Sequence, residues 1–91
     1  MKFKIHNKAK LLTALENMTG ADFANAEVQA RLEGDKSIDI MLSRTFYAAL
    51  AAKAYNVPLP DIQELPIKEY GEITGTVGSF LLTPEQEAEE A

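Results

Sequence analysis

Ser37-Ile38-Asp39-Ile40-Met41-Leu42-Ser43-Arg44-Thr45-Phe46-Tyr47-Ala48-Ala49-Leu50-Ala51-Ala52-Lys53-Ala54-Tyr55 is the stretch on which the reading of this chain turns. It predicts one long helix over about 37–55, capped by Asp35 or Ser37 and stopped by Val57-Pro58. Around the helical wheel Ile38, Ile40, Met41, Leu42, Phe46, Tyr47, Leu50 and Tyr55 point in nearly every direction. Only Asp39, Ser43, Arg44 and Lys53 are plainly polar. A helix that is apolar all round is buried on several sides. Two readings follow. Part of it meets another polypeptide, either a second copy or a foreign partner, or it is the central helix of a tight bundle.

Outward from this helix, the flanking segments also read as mainly helical. Upstream, Thr19-Gly20-Ala21-Asp22 places a hydroxyl at an N-cap with an acid three residues later, close to a capping box. Ala21, Ala24, Val28 and Leu32 recur at spacings of three and four and are expected to form the buried stripe. Glu27 and Arg31 suit an i,i+4 surface pair, and Gly34 suits a C-terminal cap, so this helix spans about 20–33. Downstream, Pro58 to Leu65 reads as a connector with at most one helical turn. Pro66 then opens a last helix over about 66–82, in which Ile67, Tyr70, Thr74, Val77 and Leu81 form the expected stripe, widened by Ile73 and Phe80. Gly71, Gly75 and Gly78 lie beside it. Each costs about 0.8–1 kcal/mol relative to Ala in a helix interior, which leaves three readings: close approach of another backbone, a helix loose enough to rearrange, or mere tolerance of glycines on that face.

The N-terminal segment pulls two ways. Lys2-Phe3-Lys4-Ile5-His6 alternates polar and apolar residues like a half-buried strand. Ala9-Lys10-Leu11-Leu12-Thr13-Ala14-Leu15-Glu16 consists of good helix formers. A strand at 2–6 needs a partner, and the nearest is the segment after Asn7-Lys8. The expected fold class is therefore α+β, predominantly α: a short N-terminal β-hairpin, three helices, and a flexible acidic tail over 83–91. Residues 1–82 form a single domain.

Composition narrows the chemistry. The 91 residues hold no Cys and one His, which removes disulfides, thiolate metal sites and the usual His-based zinc site. No apolar run approaches the roughly 20 residues that span a bilayer, and the start has no signal-like core, so a cytoplasmic protein without membrane association is expected. The net charge of −5 is uneven: Lys2, Lys4, Lys8 and Lys10 stand without an acid at one end, and Glu85, Glu87, Glu89 and Glu90 without a base at the other. The acidic body between them disfavours nucleic acid as a partner. His6 is remote in sequence from Ser37, Ser43 and Ser79, and the three glycines have helical spacing, not that of a phosphate loop. The expectation is a binder, not an enzyme, with no cofactor and no metal.

The order of motifs from Thr19 to Leu82, about two-thirds of the chain, adds a resemblance. A Thr19-Gly20-Ala21-Asp22 helix start and a long apolar helix are followed by Asn56-Val57-Pro58-Leu59-Pro60-Asp61-Ile62-Gln63-Glu64-Leu65. That leads into Pro66-Ile67-Lys68-Glu69-Tyr70 and a terminal helix ending Val77-Gly78-Ser79-Phe80-Leu81-Leu82. This resembles the small tail assembly chaperones of tailed bacteriophages, including the short tail-assembly proteins of Mu-like phages. Leu65 with Glu69-Tyr70, and Gly78-Ser79-Phe80-Leu81, match that family's short motifs, although Ser79 interrupts the last one and the N-terminal strands are shorter. The resemblance implies a protein of the host cytoplasm, absent from the mature virion. It would coat the long helical tape measure protein, help recruit tail tube subunits and self-associate. The candidate contact residues are then Met41, Phe46, Tyr47, Leu50, Tyr55, Tyr70, Val77 and Phe80. The alternatives are a helical structural or adaptor subunit and a regulatory protein-binding module.

Overall fold

The computed structural model of the protein describes residues 8–82. Within them are five α-helices: α1 (Lys8–Glu16), α2 (Gly20–Leu32), α3 (Arg44–Tyr55), α4 (Leu59–Gln63) and α5 (Ile67–Leu82). A single 3-10 turn, Ile40–Leu42, precedes α3. No strand occurs among the described residues, so the fold is all-α and not α+β.

The expected hairpin fails at its second strand. Residues 9–16 lie in α1, where Leu11 and Leu15, one turn apart, are buried against α3 and α5. Helix propensity and that i,i+4 apolar pair outweigh the strand-like alternation before them. The alternating residues 2–6 and the acidic segment 83–91 lie outside the described residues.

The bundle is organised around α3, which packs against α1, α2, α4 and α5. Its residues Phe46 to Ala52 are seven consecutive buried positions. Four of them are alanines, Ala48, Ala49, Ala51 and Ala52, and α2 faces them with buried Ala26 and Ala30. Small side chains on both surfaces let the helices come close. Phe46 then fills the larger space, edge-to-face with Phe23 of α2 at 4.7 Å between ring centroids. Burying a side chain the size of Phe46, Leu50, Leu59 or Ile73 contributes about 1.5–3 kcal/mol each. The surrounding helices therefore suffice to cover an all-round apolar segment, and α3 is the central helix of a bundle.

The single helix over 37–55 is likewise corrected. Residues 35–39 are non-helical, the 3-10 turn follows, and α3 starts only at Arg44. Capping explains the break. The Asp39 carboxylate accepts the Met41 N–H at 3.0 Å, and the Ser43 hydroxyl accepts the Phe46 N–H at 3.1 Å. Each satisfies donors that a continuous helix would have bonded to its own carbonyls.

Helix ends elsewhere follow local chemistry. The Asp22 carboxylate accepts the Thr19 N–H at 3.0 Å and sits in the first turn of α2. Gly34, at φ +102°, ends α2: its N–H bonds to the Arg31 carbonyl and that of Asp35 to the Ala30 carbonyl, a Schellman pattern. Asn56, at φ 61°, ends α3 in the same way, with Val57 N–H on the Ala52 carbonyl.

Candidate protein-binding surface

One expected buried stripe is rotated from where periodicity alone put it. On α2 the buried positions are Ala26 and Ala30, while Ala21 and Ala24 are exposed and Val28 and Leu32 face solvent at 57 % and 82 %. Phe23 joins the buried side through Phe46, which fixes the roll of the helix. On α5 the expected stripe holds, with Ile73, Thr74 and Val77 buried and Tyr70, Phe80 and Leu81 packed against the core; Gly78 joins it and Ile67 leaves it, 88 % exposed.

The candidate contact residues read from the sequence mostly face inward. Phe46 and Val77 are fully buried, Leu50 and Tyr47 nearly so; Met41, Tyr55, Tyr70 and Phe80 are half-buried against the same core. The Tyr47 hydroxyl donates to the Met41 carbonyl. Gly78 explains the position of its ring: a Cβ there would lie 2.8 Å from Tyr47 Cε2. The close approach anticipated for the glycines is thus real at one of three, and the neighbour is a side chain. At Gly71 and Gly75 nothing among the described residues lies within 4 Å of a would-be Cβ.

What stands exposed is a different apolar set. Val28 and Leu32 are one turn apart on the outer face of α2. Beyond the Gly34 turn follow Ile38, with no cover at all, and Leu42, two-thirds exposed. Periodicity could not have found Ile38 and Leu42, because it assigned both to a helix interior.

The segment that carries Ile38 is held by a polar network. Arg31 Nη1 donates to the carbonyls of Ser37, at 2.5 Å, and Asp35, at 3.4 Å. The Asp35 carboxylate accepts from the Ser37 N–H at 3.0 Å, from the Ser37 hydroxyl at 2.6 Å and from the Ser43 hydroxyl. These bonds close residues 35–43 into a loop with Ile38 between its ends. The hydroxyl of Ser37 most of all, then that of Ser43 and the Ser37 N–H, with the Arg31 charge behind them, hold the Asp35 carboxyl below its usual range. Arg31 also pairs with Glu27 at 3.5 Å, as the i,i+4 spacing suggested, but both groups are over one-third exposed and the pair contributes little.

Among the described residues no group of three or more His, Asp or Glu side chains converges as a metal site. No helix there is long and apolar enough to cross a membrane. An open cleft of about 660 Å³ between the ends of α1 and α3 and the start of α2 is lined by Ala14, Met18, Asp22, Lys53 and Asn56 among others. Its two charged groups, Lys53 and Asp22, face each other at 3.6 Å. No protein-family model, no curated protein and no solved structure matches the chain.

Proposed function

We propose that this protein acts by binding, holding an apolar helical partner on the surface formed by Val28, Leu32, Ile38 and Leu42. The observation that carries the reading is Ile38: a large apolar side chain, wholly exposed, on a loop fixed by the Asp35 and Arg31 hydrogen bonds. Leaving such a group in water forgoes about 1.5–3 kcal/mol that burial would return. Holding its backbone in place beforehand lowers the ordering cost of an interface. Leu32, at the end of the neighbouring helix face, adds a second anchor.

The resemblance to phage tail assembly chaperones supplies the specific form of this proposal. The partner is the tape measure protein, kept soluble until tube subunits polymerise along it, and the chain itself is not catalytic. The contact residues move outward from Phe46, Tyr47, Leu50 and Val77 to the exposed set, because core side chains are committed to the fold.

Co-expression with a long helical product, a phage tape measure protein, tests it. The wild-type chain is expected to keep that product in the soluble fraction, and a Leu32→Glu/Ile38→Glu variant to leave it in the pellet while remaining folded by circular dichroism. A partner equally soluble with and without the chain overturns the proposal.

A further inference from the structure

A single residue separates the 3-10 turn from α3. Ser43 ends the turn Ile40–Leu42 and caps the start of α3, at φ −95° and ψ 123°. A 3-10 stretch within a helical run often marks a hinge. The sequence on either side suits an unbroken helix equally well, with neither Gly nor Pro from Asp35 to Tyr55. Ile40, Ser43, Tyr47 and Leu50 are all buried and follow one another at spacings of three, four and three. A helix run back through Ser43 would therefore keep Ile40 on the inward stripe. The Asp39 carboxylate already accepts the Met41 N–H and would cap that longer helix unchanged. Only the ψ of Ser43 has to turn. Two side chains hold the break. The Ser43 hydroxyl accepts the Phe46 N–H and donates to Asp35. The Tyr47 hydroxyl donates to the Met41 carbonyl, the acceptor that the Thr45 N–H would take in an α-helix.

We infer that Ser43 is a hinge that switches the surface of Val28, Leu32, Ile38 and Leu42 between an assembled and a dispersed form, which rests on the binding role given to that surface. In the broken form Arg31 donates to the Ser37 carbonyl at 2.5 Å, and this ties the backbone beside Ile38 to the helix that carries Val28 and Leu32. In the joined form residues 40–42 swing onto the axis of α3. The Ser43 hydroxyl leaves Asp35, and the Met41 carbonyl exchanges the Tyr47 hydroxyl for the Thr45 N–H. Leu42 turns with the extended helix and carries Ile38 away from α2. Val28 and Leu32 then stand without their two neighbours, and the surface is no longer continuous.

Two substitutions bias the hinge in opposite directions. Ser43→Ala removes the cap and puts the best helix former at the joint. Arg44→Pro suits the first position of α3 and the extended Ser43 before it, but a proline there cannot sit inside a continuous helix. Amide exchange and Cα chemical shifts of the full chain alone read the outcome. The Arg44 and Thr45 amides lie in the first turn of α3, where a helix offers its own N–H groups no acceptor. In Ser43→Ala they should exchange at least about tenfold more slowly than in the wild type, with helical shifts from residue 40 to residue 46. Tyr47→Phe keeps the ring and frees the Met41 carbonyl. It should move the same amides in the same direction, and it decides alone if Ser43→Ala does not fold. In co-expression Arg44→Pro should hold the helical partner in the soluble fraction and Ser43→Ala release it to the pellet. Arg44 and Thr45 amides as unprotected in these variants as in the wild type overturn the hinge. A joined helix that retains the partner as well as Arg44→Pro does overturns its control of the surface. The measurement on the chain alone needs no partner, so it separates failure of the hinge from failure of the binding role.

Discussion

The three glycines of α5 meet two different demands. Gly71 and Gly75 border open space, so Ala at either position meets no neighbour and restores helix propensity. In dilute protein, Gly71→Ala and Gly75→Ala are each expected to stabilise the fold by about 0.8–1 kcal/mol. Gly78→Ala introduces a Cβ 2.8 Å from a buried ring whose hydroxyl is tied to the Met41 carbonyl. Displacing such a ring costs about 1–3 kcal/mol, so this substitution destabilises despite the same gain in propensity. Urea titration of the three variants separates them by sign. Some single-residue features were legible in advance: the Thr19–Asp22 helix start, the Gly34 stop and the Glu27–Arg31 pair depend on neighbours within four residues. The different fates of the glycines depend on Tyr47, thirty-one residues before Gly78, and local spacing carries no trace of that.

At the level of elements, what misled was the continuity of apolar residues from Ile38 to Tyr55. Asp39 and Ser43 are good caps, but nothing local distinguishes a cap from a solvent-facing position of one continuous helix. Ser43 binds both the Phe46 N–H and Asp35, and this joins the start of α3 to the end of the preceding loop. α1 poses the opposite problem: its propensity is clear, but a strand before it calls for a pairing partner. The loop also gives the fold a pH dependence of definite sign. Because Asp35 titrates below its unfolded value, its contribution is complete above about pH 4 and is lost as pH falls through the lower, folded value. Asp35→Asn is expected to lower stability at neutral pH and to flatten the acid limb of the profile, as followed by thermal melts between pH 2 and pH 7, roughly the range over which carboxylates titrate. An unaltered acid limb would show that the network contributes nothing to that slope.

Across the whole molecule, the central position of α3 was one of two readings open from the start, and its alanines settle it: small residues admit neighbours on every side. The binding surface was less legible. Val28 and Leu32 obey the helical period as well as any core stripe, and only the edge-to-face contact of Phe23 with Phe46 turns the helix so that Ala26 and Ala30 go inward. An amphipathic pattern gives the width of a buried face; its direction is set by the largest side chain that finds a pocket.

Enclosure of α3 by four helices also decides how the molecule breathes. Amides of residues 48–52 are wrapped by elements from both ends of the described chain, so no single helix can lift away and leave the rest intact around them. Their hydrogen exchange should require global opening and report the full unfolding free energy, whereas amides of residues 36–38 exchange through local fluctuations at much lower cost. Exchange measured across a urea series would give the amides of α3 a single common slope, equal to that of equilibrium unfolding. A shallower slope at Ala51 or Ala52 would reveal a smaller cooperative unit inside the bundle.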